Sequence, residues 1–355
     1  MTALFEPISV GKLTLSNRVV MAPLTRNRAD ENGVPQDIAV EYYRQRASVG
    51  LIISEGTQPS AVGQGYLNTP GIHTDAQREG WRLVFDAVHA EGGHLFVQLM
   101  HAGRIGHPDN KPVPDVVAPS AIAAPDGIVT ATGQQPYPTP RALDTDEIAG
   151  VVAEFVHAAR TAVDAGADGV EIHGANGYLV HQFLAPSSNV RTDSYGGTPV
   201  NRARFAIEVV SAVAEAVGPE RVGLRISPSH NIQGVLEQDE ADVTSTYRAL
   251  VDAIRPLGLA YLSYLADPRA ELIRDLRSRF GGPVIGNDGF GSTTTRESAQ
   301  ALLDEDLADL VAVGRLVIAN PDLVRRWRDG TPLNDPNQDT FYGGGAEGYT
   351  DYPAL

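Results

Sequence analysis

Eight times along this chain a short run of aliphatic and β-branched residues gives way to a longer stretch with helical spacing. The runs lie at 18–22, 51–55, 95–99, 169–172, 221–226, 260–263, 283–286 and 310–313. Runs this short and this continuously apolar suit strands buried on both faces. Strands separated by helices pair in parallel through crossovers, and eight such units are the count of a closed (β/α)8 TIM barrel. The length, 355 residues, suits a barrel of about 250 residues enlarged by insertions. The chain is therefore read as one domain over 1–355.

Helical spacing predicts helices over 37–48, 76–91, 146–165, 199–217, 239–254, 268–280 and 294–303, and an eighth from Pro321. Asp144 and Glu147 have capping-box spacing at the start of the third, and Gly166 stops it. Asn320 and Pro321 read as N-cap and first helical residue of the last. Residues 8–15 read as a hairpin before the barrel. The segment 101–140 is a long Pro-rich connection, the kind that covers a site. The tail, 335–355, reads as a loop lying against the body.

The net charge is −16 and the pI about 4.9, which argues against nucleic acid or an anionic membrane as partner. There is no cysteine, so disulfides, thiolate metal sites, iron–sulfur clusters and a cysteine nucleophile are excluded. No window approaches about 18 uninterrupted apolar residues, and the first residues lack the features of a signal peptide. A cytoplasmic location is expected. His101, His107 and Asp109 fit no standard metal-ligand spacing, so no metal is expected.

Barrel chemistry sits at the C-terminal ends of the strands. There this chain places Pro23-Leu24-Thr25-Arg26, Glu55-Gly56, Gln98, His101, Arg225, Asn287-Asp288-Gly289 and Gly314-Arg315. The last two stretches follow neighbouring strands, and glycine-rich turns beside an arginine suit a phosphate group. A surface salt bridge is the alternative for Arg315, but the flanking glycines favour the phosphate. Arg225 interrupts an apolar strand, so its charge needs an acceptor, either Glu171 or an anionic ligand. Gln98 can bond a heterocycle edge in both directions or be a satisfied core amide. Residues 343–348 match G-x-G-x-x-G, but no strand precedes them, which argues against a dinucleotide fold.

The fourth strand runs into His173-Gly174-Ala175-Asn176-Gly177-Tyr178. His173 and Asn176 each offer a donor, enough to clamp one carbonyl oxygen. In a helical turn Tyr178 would sit about 200° round from Asn176, so its phenol would point away from the amide. Two readings stand at this point: an oxyanion clamp with a proton donor, or a β-to-α turn whose polar groups satisfy backbone. A phosphate cradle on a barrel also suits a non-redox lyase or isomerase acting on a phosphorylated substrate.

Longer motifs bear on the choice. Residues 17–26 (NRVVMAPLTR), 41–47 (EYYRQRA), 181–189 (HQFLAPSSN), 191–197 (RTDSYGG) and 341–345 (FYGGG) resemble the old yellow enzyme family of flavin-dependent ene-reductases. The match runs from Leu4 to Pro353 and looks closest to the bacterial N-ethylmaleimide and pentaerythritol tetranitrate reductases. The resemblance implies noncovalent FMN, with Asn287, Gly289, Gly314 and Arg315 at its phosphate. Gln98 would sit at its pyrimidine edge, Thr25, Pro23 and Gly56 against the ring, and Arg225 beside the ring's anionic end. It implies NADPH or NADH as reductant and an electrophilic alkene as oxidant. His173 and Asn176 would hold the carbonyl or nitro oxygen and Tyr178 would protonate the α-carbon. Tyr66, Met100 and Tyr342 would line the pocket of a monomer or homodimer. Met100 departs from relatives with tryptophan in that segment, and Asn176 from those with a second histidine.

Overall fold

The computed structural model describes residues 3–289 and 291–355. A hairpin, β1 (Ile8–Val10) and β2 (Leu13–Leu15), comes first. Then follow β3 (Val19–Met21), α1 (Asp37–Arg44), β4 (Leu51–Ile53), α2 (Asp75–Ala90) and β5 (Leu95–Leu99). The connection after β5 carries four short strands, β6 (Val117–Ala118), β7 (Gly127–Thr130), β8 (Gly133–Pro136) and β9 (Arg141–Ala142). After α3 (Ile148–Ala165) come β10 (Gly169–Gly174), α4 (Leu179–Leu184), α5 (Pro199–Val217), β11 (Val222–Ile226) and α6 (Glu240–Ile254). The chain ends with β12 (Tyr261–Tyr264), α7 (Glu271–Phe280), β13 (Val284–Gly286), α8 (Arg296–Asp304), β14 (Leu310–Val313), α9 (Arg315–Ala319) and α10 (Leu323–Asp329).

Strands β3, β4, β5 and β10 to β14 close into one parallel barrel in chain order. The two-residue period of a strand divides their side chains. Val20, Leu51, Ile53, Phe96, Tyr261, Ile285, Leu310 and Ala312 form an inner cluster. Val19, Ile52, Val97, Val170, Leu224, Val284 and Val311 join the outer core shared with the helices. Both faces are apolar, which is why the runs read as continuous. Val10 and Leu15 of the hairpin belong to the inner cluster, so the hairpin plugs the end where the strands begin. A Cβ on Gly223 would lie 2.2 Å from the Tyr261 ring, so the residue is glycine because an aromatic crosses the barrel there.

Continuing the inward parity toward the C-terminal end brings Gln98, Glu171, His173, Arg225 and Ser263 into one buried polar layer. The apolar plug below and this layer above fix where chemistry can happen.

Several ends differ from expectation. The first helix stops at Arg44, because the Arg46 guanidinium takes the Tyr42 carbonyl (2.8 Å) and its N–H closes a tighter turn on Tyr43 (3.1 Å). Asp144 and Glu147 make half of the expected box: Glu147 accepts the Asp144 N–H (2.7 Å), but the helix begins at Ile148. Gly166 ends it at φ 115°. The last helix does not start at Pro321. Asn320 spends its side chain on Leu316 and Asn334, which splits the segment into α9 and α10, the latter behind Asp322. The short α4 was not foreseen. The segment 101–140 does cover the mouth, with its β7–β8 hairpin stitched down by Asn110, which donates to Gly65 and Val129 carbonyls. Among the described residues no helix is long and apolar enough to cross a membrane.

Candidate active site

Two adjoining cavities open at the C-terminal mouth of the barrel. The inner one, about 430 Å3, is walled by Pro23 and Thr25 after β3, Asn176 after β10, Arg225 on β11, Asn287 and Gly289 after β13, and Gly314 and Arg315 after β14. Gly289 turns at φ 88° and gives its N–H to Asn287 Oδ1 (2.9 Å). Among the described residues Arg315 makes no surface salt bridge; it donates to the Gly291 and Ser292 carbonyls (3.2 and 3.0 Å). Its charge is therefore not neutralised by a carboxylate.

Arg225 is buried and donates to Ser263 Oγ (3.1 Å), while its Nε has no protein partner. Burial holds its pKa below the ordinary range, a loss partly offset by Glu171 and Tyr261. Glu171 lies in the same layer. Burial pushes its carboxyl up, against the pull of Arg225 and of Gln98, whose amide donates to it (2.8 Å). The Tyr261 hydroxyl also faces Glu171 and helps to hold its carboxyl down against burial. The arginine thus has a long-range partner in Glu171 and spare donor capacity toward the mouth.

The outer cavity, about 580 Å3, is walled by Thr25, Asn27, Tyr66, Leu67, Ile128, Val129, Tyr137, Tyr178 and Tyr342, with no ionised side chain in the wall. Thr25 and Tyr342 belong to both walls. The Tyr66 and Tyr178 hydroxyls are 2.9 Å apart. Burial raises the Tyr178 pKa, countered by Tyr66 and Gln233. The His173 ring packs against the Tyr178 ring, centroids 5.0 Å apart. Burial drives the His173 pKa well down, reinforced by Arg225 and His181, so the imidazole is neutral. Its Nδ1 and Asn176 Oδ1 are buried without protein partners.

The turn between His173 and Tyr178 is not helical. Asn176 and Gly177 both have positive φ, 56° and 82°, and Tyr178 is extended ahead of α4. Asn176 consequently lines the inner cavity and Tyr178 the outer one. The two side chains do diverge, but through left-handed backbone rather than helical rotation. Ser227 Oγ accepts the Asn176 N–H (2.9 Å) and Gln233 Nε2 donates to the Asn176 carbonyl (2.8 Å).

Gly56, Gln98, His173 and Met100 stand behind these walls rather than in them. A Cβ on Gly56 would lie 2.6 Å from the Met100 sulfur, so Met100 fills the space over that glycine. Sequence reasoning missed Asn27, Tyr137, Ser227 and Gln233, which lie in loops with no periodic signal. It also missed the role of Glu55. That buried carboxylate accepts the Arg26 and Asn27 N–H groups (3.0 and 3.3 Å) and so fixes the turn that presents Thr25. The tail bearing Tyr342 is clamped by Arg26 and Arg28, which donate to the carbonyls of Phe341, Gly348 and Thr340. Residues 343–348 serve that clamp and form no strand or helix.

Comparison with known proteins agrees with this geometry. The model of the NADH:flavin oxidoreductase / NADH oxidase family matches residues 3–334. The chain is 42% identical to the probable flavin mononucleotide-dependent alkene reductase of Leishmania infantum, over 99% of this chain and 97% of that protein. Among solved structures, morphinone reductase superposes with a TM-score of 0.93 at 46% identity, covering 100% of this chain and 96% of that one. The old yellow enzyme homologue of Zymomonas mobilis superposes with a TM-score of 0.94 at 41% identity, covering 99% and 100%. By sequence and by fold, the chain belongs to the NADH:flavin oxidoreductase / NADH oxidase family, that of the old yellow enzymes.

Proposed function

We propose that this chain is an FMN-dependent ene-reductase that takes electrons from NADPH or NADH and delivers them to α,β-unsaturated carbonyl or nitro compounds. The observation that carries the reading is the shared wall. A cavity with two guanidinium groups, neither in a close salt bridge among the described residues, abuts a neutral cavity lined by phenols. Uncommitted donors suit an anionic cofactor: Arg225 Nε is buried and unpartnered, and Arg315 has only carbonyl acceptors. Arg315, Gly314, Asn287 and Gly289 would hold the FMN phosphate. Thr25, Pro23 and Arg225 would meet its ring, with Gln98 and Gly56 in the layer beneath. When bound, FMN supplies a two-electron carrier that accepts hydride from a nicotinamide and gives hydride to an alkene β-carbon.

The protein's own residues do the rest. His173, neutral at any ordinary pH, and Asn176 donate hydrogen bonds to the substrate's carbonyl or nitro oxygen. That stabilises the negative charge which develops there as the β-carbon is attacked. Tyr178 gives its proton to the α-carbon, so hydride and proton together saturate the double bond. A phenol with a raised pKa stays protonated through neutral pH, and the developing enolate is basic enough to take its proton. Tyr66, hydrogen-bonded to Tyr178, steadies the phenolate left behind. Met100 and Tyr342 shape the pocket. The working unit is taken to be a cytoplasmic monomer or homodimer.

A single spectral series tests the proposal. Purified protein with FMN should be yellow, bleach on anaerobic NADPH or NADH, and regain colour with 2-cyclohexenone. A preparation that stays colourless in excess FMN overturns it.

A further inference from the structure

The turn that presents Asn176 and Tyr178 has an uncomfortable backbone. Two consecutive residues have positive φ, and one of them, Asn176, is not glycine. Such a conformation is strained and persists only where its surroundings hold it. Two of the holding contacts reach Asn176 itself, from Ser227 and Gln233. Two more reach Gly177: its N–H donates to His181 Nδ1 at 3.0 Å, and its carbonyl accepts from Gln182 Nε2 at 2.7 Å.

His181 is fully buried on α4 and lines neither cavity. Because its Nδ1 accepts from a backbone N–H, that nitrogen carries no proton, and the ring proton must be on Nε2. Nε2 lies 3.3 Å from Glu237 Oε1, a contact by charge rather than in ideal hydrogen-bond geometry. Glu237 cannot rotate away. Tyr247 donates its hydroxyl to Oε1 (3.0 Å), the Ser229 N–H binds Oε2 (2.7 Å), and the Glu237 N–H is held by Asn231 (2.7 Å). The carboxylate is therefore a fixed acceptor that selects one imidazole tautomer, and that tautomer alone can receive the Gly177 N–H. The chain of contacts runs from β11's loop, through α4, to the turn between the two cavities.

We propose that Glu237 and His181 are positioning residues of the reductase: Glu237 sets the His181 tautomer, and His181 sets the Gly177 backbone from which Asn176 and Tyr178 diverge. The inference rests on the ene-reductase reading for what the diverging side chains do, but the contact it assigns is independent of that reading.

Asparagine and glutamine separate the two roles of the imidazole. In His181→Asn the side-chain oxygen can replace Nδ1 and keep the Gly177 bond. In His181→Gln the polar end reaches only the Nε2 position, and the bond is lost. Glu237→Gln can donate to Nε2, which favours a proton on Nδ1, donor against donor with Gly177. The test uses the FMN-loaded protein, reduced anaerobically and reoxidised by 2-cyclohexenone, together with hydrogen–deuterium exchange over 174–180. His181→Gln and Glu237→Gln should reoxidise about 10–100-fold more slowly through misplacement alone. Their FMN content should match the parent's, and Gly177 should exchange faster. His181→Asn should stay within about threefold of the parent, since its hydrogen bond survives. The proposal is overturned if the glutamine variants match the parent in both readouts, or if His181→Asn loses as much as His181→Gln. If His181→Gln fails to fold, Glu237→Gln decides. If the parent itself is not reoxidised by the enone, the ene-reductase reading fails, and exchange at Gly177 alone still decides the positioning.

Discussion

The two cavities at the barrel mouth share Thr25 and Tyr342 yet offer opposite environments. The inner wall holds Arg225 and Arg315 in a chain of net charge −16. Among the described residues the outer wall holds four tyrosines, three aliphatic side chains and no ionised group. Fixed cations with no carboxylate in close contact attract an anion and hold it at one place. A neutral wall of phenols binds by shape and leaves its few donors to act on one atom. On the proposed reading the two walls divide the labour: the inner arginines hold the cofactor and the outer phenols serve turnover, while Asn176, although in the inner wall, serves the substrate. Substitutions at the inner arginines and at the outer phenols should therefore separate, altering FMN affinity or enone turnover but not both.

The largest separation is expected at Tyr178. Replacing it with phenylalanine removes the proposed proton donor and should lower enone reduction by about 10²–10⁴-fold. FMN content should not change, and nitroalkenes, whose product anions can be protonated by water, should be spared. Stopped-flow reoxidation of the reduced protein measures this, and a parent-like rate with 2-cyclohexenone would break the comparison on the outer side. The inner counterpart is Arg315→Ala. Losing charge-assisted bonds should weaken FMN binding by about 10–100-fold, as read by fluorescence titration. Turnover at saturating FMN should remain close to the parent's. A fall in turnover with unchanged FMN affinity would reverse the assignment.

A third substitution sharpens the comparison at the shared wall. Glu55 holds the turn bearing Thr25, and burial pushes its carboxyl from 4.5 up to about 7. With the folded pKa above the unfolded one, the contribution to stability is complete below about pH 4.5 and is lost as pH rises through about 7. Glu55→Gln removes that titration. Between pH 5 and pH 8 the melting temperature of the parent should therefore fall by a few degrees relative to the variant's. Parallel melting curves across that range would place the carboxyl's pKa elsewhere.

How much of this was readable beforehand follows the range of the forces. Strand runs such as 310–313 and the helix over 199–217 were placed within their bounds by local periodicity, and Gly166 stopped its helix by backbone freedom alone. Arg225 and Arg315 stood out because a cation in an apolar strand, or among glycines, is locally anomalous. Arg46 ending α1, Asn320 splitting the last helix and the left-handed Asn176 depend on partners far along the chain. So does the neutrality of the outer wall, where Tyr137 comes from the cap, Tyr66 from the loop after β4 and Tyr342 from the tail. No single stretch announces a wall assembled from three distant ones.

The smallest expected effect lies within that wall. The Tyr66 and Tyr178 hydroxyls are 2.9 Å apart, and either can donate. Before reaction the bond is between two neutral phenols. As Tyr178 surrenders its proton its oxygen gains charge, Tyr66 becomes the donor, and the bond strengthens when it matters for the rate. Tyr66→Phe removes one such bond and leaves the ring, so the loss should be about tenfold or less, well short of the Tyr178→Phe loss. The sign of the pH effect follows from the same contact. Tyr66 pulls the Tyr178 pKa down against burial, so without it the phenol should ionise at higher pH. The alkaline limb of the pH–rate profile should move upward in Tyr66→Phe while FMN affinity stays put. A limb that moved downward would mean that Tyr178, not Tyr66, donates in the working state, and the outer wall would then need a different route for its proton.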